Sequence, residues 1–336
     1  MVRTFLSYGH AALISGKIML VDNSTIIVTG SSGYVASDLI PRLKKSHEVF
    51  GVDVYPSEHT AILANINSRK FSEFIDNLSH NNFTLINLAA ARLDFGATAE
   101  DYFRTNVGCH EAFLKSLSGH KIKKFIHISS VAVFDGKKIP YSEELNCDDA
   151  YRATKYLQEE LIQNWCDDQG IELTIVYPSA IFSRDPRSDT NIGKLQSISK
   201  FLPFIPSIAV VKSLTYLPNF SRFIIDLVTG EIPAGKYLTI EKPSLTVSRM
   251  IQIISGRPIR LIKIPCFQFM MQTVANFLHI LGGFGKIDLK LTPNRVVKLF
   301  SDTSYSDLDG KDIDAEAYVV RNKDQLSDLL KNFNDT

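Results

Sequence analysis

A chain of 336 residues can bury one large core or two smaller ones, and its 45% hydrophobic content is that of an ordinary globular protein. A formal net charge of +1 leaves no overall footprint of nucleic acid or of an acidic membrane as partner. Cys109, Cys147, Cys166 and Cys266 have neither CxxC spacing nor local His partners, which argues against a disulfide scaffold or a metal site and for reduced thiols in a cytoplasmic protein.

Residues 1–24 read as an extension. The apolar stretch Ala11–Val21 is interrupted by Ser15, Gly16 and Lys17, lacks the clean apolar core of a signal peptide and is too short to span a bilayer. A poorly ordered extension, or an upstream start with Met19 as the natural beginning, is expected. The first domain begins at Thr25. Thr25–Thr29 is a β-branched apolar run suited to a strand buried on both faces. Gly30, Gly33 and Ala36 follow, then helical spacing at Val35, Leu39 and Leu43, with Pro41 expected to kink that helix. Strand, glycine turn and helix form the phosphate-binding corner of a dinucleotide site: the turn approaches a pyrophosphate closely and the helix N-terminus faces it. Val49–Val54 reads as the second strand, with Asp53 at its end to accept ribose hydroxyls and repel a 2′-phosphate. With no Arg following it, NAD is the expected cofactor rather than NADP.

Ala61–Ile66 is a third strand candidate, and Asn65 at its end can either meet an adenine edge or cap the strand. Arg69–Ser79 is helical, Phe83–Ala91 a fourth strand running into small residues, Ala97–Leu117 a long helix containing Asn106, and Lys124–Ser130 a fifth strand. Strands alternating with helices predict an α/β fold with a doubly wound parallel sheet. Its strand ends place Gly30, Asp53, Ala89–Ala91, Ser129 and Ser130 on one edge. Tyr151 and Lys155 share one face of the next helix. A phenol titrates near 10 in water, and lowering it to about 7 takes roughly 4 kcal/mol, which an ammonium and a nicotinamide cation can supply. Ser130 would hold a substrate oxygen while Tyr151 exchanges its proton.

TGSSGYVA from Thr29, Asp53, NLAA from Asn87, Asn106, HISSVAVF from His127 and YRATK from Tyr151 follow one another over about 130 residues. In that order the chain resembles an extended short-chain dehydrogenase/reductase of the nucleotide-sugar epimerase and dehydratase type. The resemblance implies a Rossmann domain over 25–178 and a smaller α/β substrate domain over 179–336, some later segments returning to the first. It implies Ser130, Tyr151 and Lys155 as the catalytic trio. The cofactor shell it implies comprises Gly30, Ser32, Gly33, Tyr34, Val35, Asp53, Asn65, Ile66, Leu88, Ala89, Ala90, Asn106, Ser129, Tyr151, Lys155, Tyr177 and Pro178. Arg92, Ser130, Val131, Ala180, Asn191 and Lys212 would meet the substrate, Asn191 by opening a helix toward its pyrophosphate, while a surface role for Lys212 stays equally open. The chain departs from the family at Phe134-Asp135, Arg152 and Tyr177, where Tyr-Gly, Gly and Arg are usual. Val131 and Ala132 replace the Asp-Glu pair of the sugar dehydratases, so dehydration is excluded. The implied reaction is C4 epimerisation of a UDP-hexose or UDP-N-acetylhexosamine. A net dehydrogenase or reductase acting on a sugar nucleotide or sterol-like alcohol is the alternative, and a non-catalytic NAD-binding protein the third reading. The family also implies a homodimer through the Ala97–Leu117 and Tyr151–Asp167 helices.

Val211–Asn219 reads as a strand and Phe267–Leu281 as a core helix of the second domain, a membrane-surface or partner face being the lesser reading. No run is long enough for an integral membrane segment. Asp302–Asp314 is acidic and turn-rich, and Asp324–Phe333 reads as a final helix.

Overall fold

The computed structural model describes residues 12–14, 17–19, 25–78, 82–91, 98–183, 186–188, 191–241, 244–256, 259–285, 300 and 316–319. The last two readings above therefore lie outside the described residues. Where a poorly ordered extension was expected, Ala12–Ile14 pairs antiparallel with Lys17–Met19.

The sheet strands are β1 (Thr25–Thr29), β2 (Val49–Asp53), β3 (Ile62–Leu63), β4 (Phe83–Asn87), β5 (Ile122–Ile128), β6 (Leu173–Pro178), β7 (Lys236–Ile240) and β8 (Glu316–Val319). They lie in the order β8-β7-β6-β5-β4-β1-β2-β3, and the pairings from β6 through β3 are all parallel. Every residue of β1 and of β4 is buried, as a sheet covered on both faces requires. The register pairs Thr29 with Val52 and Asn87, Asn87 with His127, and Ile128 with Val176, so the strand ends carrying the expected site are level. Phe71, Phe113 and Phe125 anchor the core on one face.

Three helices matter below: α1 (Tyr34–Leu43), α2 (Cys147–Gln169) and α3 (Phe267–Gly285). Helix α1 continues through Pro41 to Leu43. Asn146 caps α2 by accepting from the Asp148 and Asp149 amides, and Gly170 ends it in the left-handed conformation at φ 63. The long helix before β5 contains a π-helical turn, Arg104–Gly108, that carries Asn106.

The chain divides into two compact units. The first comprises 1–178, 220–238 and 313–317; the second comprises 179–219, 239–312 and 318–336. In the second unit Ala180–Phe182 pairs in parallel with Leu214–Tyr216, Phe204–Pro206 in parallel with Arg260–Ile262, and Val211–Lys212 antiparallel with Leu245–Thr246. The expected strand to Asn219 is shorter: Leu217 begins a helix that runs to Thr229. The buried Glu241 carboxylate accepts from the Tyr216 amide and from Asn219 Nδ2, tying the strand end to that helix start. Phe267–Leu281 is helical as expected, but among its described side chains most of the apolar ones are not in the core. Phe269, Met270, Val274 and Phe277 are exposed, and among the described side chains of the helix only Ala275, on the opposite side, is fully buried.

Candidate active site

Gly30 sits at φ +72 where the chain leaves β1, and a Cβ there would lie 2.9 Å from the backbone of Leu88 and Ala89. Only glycine fits this crossing of the β4 exit. Gly33 is the N-cap of α1, and no side chain caps the helix start that Tyr34 and Val35 begin. An uncapped helix N-terminus behind a glycine turn fits a pyrophosphate through its N–H groups and dipole. Asp53 ends β2. Its Oδ2 accepts from Ser32 N at 2.9 Å and Ser32 Oγ at 2.8 Å, and its Oδ1 accepts from Tyr55 N at 3.0 Å. A carboxylate offers about four acceptor positions, so Asp53 both anchors the glycine turn and keeps capacity on Oδ1 for a ribose hydroxyl. Asn65 is exposed and Ile66 buried beyond β3, with Asn65 Oδ1 accepting from Asn67 N at 3.4 Å, the capping arrangement. Leu88 and Ala89 are half-buried and Ala90 exposed where β4 ends. These residues fit NAD as a group.

Asn106 is fully buried. Its Oδ1 accepts from Ala91 N at 2.7 Å and its Nδ2 donates to Thr154 Oγ1 at 3.1 Å. Its amide thus joins the β4 exit to α2. Lys155 is also buried, donating to Ile128 O at 3.3 Å and to Gln158 Oε1. Burial pushes its pKa down to about 7, against the opposing pull of Glu159. Tyr151, one turn earlier, packs edge-on against Tyr102 at 6.1 Å between ring centres. Ser130 Oγ accepts from Ala132 N at 3.2 Å, and Val131 N donates to Pro178 O at 3.3 Å. Ser129 Oγ donates to Glu159 Oε2 at 2.7 Å, and Tyr177 OH donates to Glu159 Oε1 at 2.6 Å. Tyr177, at a position where Arg is usual in the family, thus supplies a donor to this carboxylate. Its ring also packs on Phe134 at 5.0 Å, so two of the sequence's departures form one contact. Gly136 accounts for a close neighbour: a Cβ there would sit 2.2 Å from Arg152 O.

Sequence reasoning missed Glu159 and a buried polar chain beneath the site. Thr29 Oγ1 donates to Asn87 Oδ1 at 2.7 Å. Asn87 Nδ2 lies 3.2 Å from both His110 Nε2 and His127 Nδ1, and Gln158 Nε2 lies 2.7 Å from the same His110 Nε2. Amide nitrogens only donate, so His110 Nε2 and His127 Nδ1 are acceptors and both rings are neutral. His110 then carries its proton on Nδ1, toward Thr105 O at 3.2 Å. His127 carries its proton on Nε2, a buried atom without a partner. Burial, with Lys155 nearby, lowers both histidines' pKa values, His110 to about 3. The available signal was spacing: Gln158 and Glu159 stand three and four residues after Lys155, on its side of α2.

The expected substrate contacts are divided between the two units. Ala180 is exposed and Lys212 half-buried, both on second-unit strands; Asn191 opens the Asn191–Ser199 helix; Arg92 lies outside the described residues. Among the described residues no His, Cys, Asp and Glu group is placed to hold a metal, and no helix is long and apolar enough to cross a membrane.

Residues 26–215 match the family model for the NAD dependent epimerase/dehydratase family. A protein of Escherichia coli O157:H7, N-acetyl-alpha-D-glucosaminyl-diphospho-ditrans,octacis-undecaprenol 4-epimerase, is 25% identical over 68% of this chain and 71% of its own length. Two solved structures share the fold. The UDP-N-acetylglucosamine 4-epimerase of Methanobrevibacter ruminantium M1 is 20% identical, with a TM-score of 0.57 over 72% of this chain and 86% of that one. The UDP-glucuronic acid 4-epimerase of Bacillus cereus, in complex with UDP-glucuronic acid and NAD, is 19% identical, with a TM-score of 0.55 over 71% and 86%.

Proposed function

The chain belongs to the NAD dependent epimerase/dehydratase family, and from that premise we propose that it is a 4-epimerase of a diphosphate-linked sugar. The observation that carries this reading is the pairing of Tyr151 and Lys155 on α2 beside the Ser129-Ser130 strand end, without acid-base residues at Val131 and Ala132. When bound, NAD supplies a reversible hydride acceptor. Gly30, Gly33 and the start of α1 would hold its pyrophosphate, and Asp53 its adenosine ribose. Ser130 would orient the substrate hydroxyl and Tyr151 would take its proton, returning it once the keto sugar has presented its other face. With no second acid-base pair to expel water, the chain's own groups support oxidation and re-reduction alone.

The carrier of the sugar has two candidates of shared chemistry. UDP is the carrier named for both structural neighbours, and a polyprenyl diphosphate is the one named for the E. coli relative. The test supplies UDP-hexoses and UDP-N-acetylhexosamines with catalytic NAD. The expected result is interconversion of a C4 pair with no net growth of reduced-nicotinamide absorbance. Stoichiometric NADH would make the protein a dehydrogenase instead.

The enzyme is further read as a cytoplasmic homodimer. On the two helices implied for the dimer contact, Val107 and Leu114 are buried in the subunit's own core, which leaves Phe103, Leu157, Leu161 and Trp165 half-buried for a partner. A dimer mass by light scattering at micromolar concentration is expected; a monomer mass would remove this assembly.

A further inference from the structure

Helix α3 is inside out for a core helix. Phe269 is 74% exposed, Phe277 61%, Met270 50% and Val274 46%. At 100° per residue these four, with Thr273, fall within a single arc of the helix, so they form one apolar stripe facing water. Leu261, on the strand that precedes α3, is 39% exposed and flanked by exposed Arg260 and Lys263. The paired strand adds exposed Phe204.

Charge marks the same stretch. Residues 242–300 contain nine Lys and Arg and one acidic residue, Asp288, a formal +8 in a chain whose total is +1. Helix α3 itself contains no charged side chain. Exposed aromatic residues on a helix between basic segments match the chemistry of a bilayer interface, where aromatic rings enter the headgroup layer and cations meet anionic lipid. A second copy is the poorer occupant, since a twofold contact would bring together two copies of a segment whose sequence carries a formal +8. Among the described residues no helix can cross a membrane, so the contact is peripheral.

We propose that the second unit docks on an anionic lipid bilayer through the apolar stripe of α3 and the exposed Arg260 and Lys263 that precede it. Its purpose rests on the epimerase reading: a sugar carried on a polyprenyl diphosphate lies in that surface, and docking brings the enzyme to it. Docking itself needs no substrate and is read separately from turnover.

The experiment is co-sedimentation of the full chain with phosphatidylcholine vesicles and with mixed phosphatidylcholine–phosphatidylglycerol vesicles. Binding is expected to the mixed vesicles only, with release at high salt. Phe269→Glu with Phe277→Glu should weaken binding more than about tenfold, and Arg260→Gln or Lys263→Gln about fivefold each. NAD affinity and turnover of a soluble UDP-sugar should stay as in the parent, which shows that the variants are folded. A full chain that ignores mixed vesicles overturns the proposal, and assigns the stripe to a second copy or to the acidic stretch 301–336. Vesicle binding that survives the paired Phe substitution also overturns it. Vesicle binding without any epimerase activity would sink the epimerase reading while docking stands.

Discussion

Tyr151→Phe should lower epimerisation by about 10²–10⁴-fold, the range a positioned general base contributes, while leaving the NAD dissociation constant unchanged. The substitution removes one oxygen. The ring keeps its edge contact with Tyr102, and α2 keeps its cap at Asn146. Lys155 adds a pH signature. Burial brings it to about 7 rather than its ordinary value of 10.5. A lysine with a depressed pKa loses its proton as pH rises through that point, and with it goes the ammonium that favours the Tyr151 phenolate. The parent's kcat/KM should therefore fall as pH rises through about 7, and the residual rate of the variant should lack that fall. A variant within tenfold of the parent, or one that keeps the same pH step, would remove Tyr151 from proton transfer.

Asp53→Ala should weaken NAD by about 10–100-fold, equivalent to roughly 1.5–3 kcal/mol for charge-assisted hydrogen bonds to ribose. NADP should be affected far less, because its 2′-phosphate repels the carboxylate in the parent. Asp53 also holds Ser32 N and Oγ, so part of the loss comes from the glycine turn it no longer anchors. Calorimetric titration of both cofactors against both proteins separates the two effects: a slackened turn weakens NAD and NADP alike, whereas a lost ribose contact weakens NAD selectively. Equal NAD affinity in parent and variant would leave Asp53 with the structural part alone.

The parallel sheet and its phosphate corner were legible because their signals are local. β-branched runs give buried strands, and Gly30 and Gly33 mark a turn that other residues cannot make. Element ends were less legible. The strand expected at 61–66 shrinks to Ile62–Leu63, and the strand expected to Asn219 stops at Tyr216 because a helix starts at Leu217. The exposure of α3 was illegible for a different reason: its periodicity fits an apolar stripe, and periodicity cannot say which way the stripe faces. Glu159 and the Asn87–His110–His127–Gln158 chain unite residues from β4, β5 and two helices. No stretch of sequence announces a contact assembled from such distant positions. Phe134 and Tyr177 read singly as departures from a family pattern; only their ring contact shows one to support the other.

The place of β7 has a consequence for how the chain is made. β6 takes its neighbour on that side from Lys236–Ile240, after a long excursion into the second unit. On a ribosome adding about 5–20 residues per second, the roughly 60 residues between them take about 3–12 seconds. For that interval β6 is an open edge of a nearly finished parallel sheet, a template on which a neighbouring nascent chain can pair. Vectorial synthesis thus exposes the molecule to misassembly in a window that refolding of the full-length chain, which has β7 present from the start, does not share.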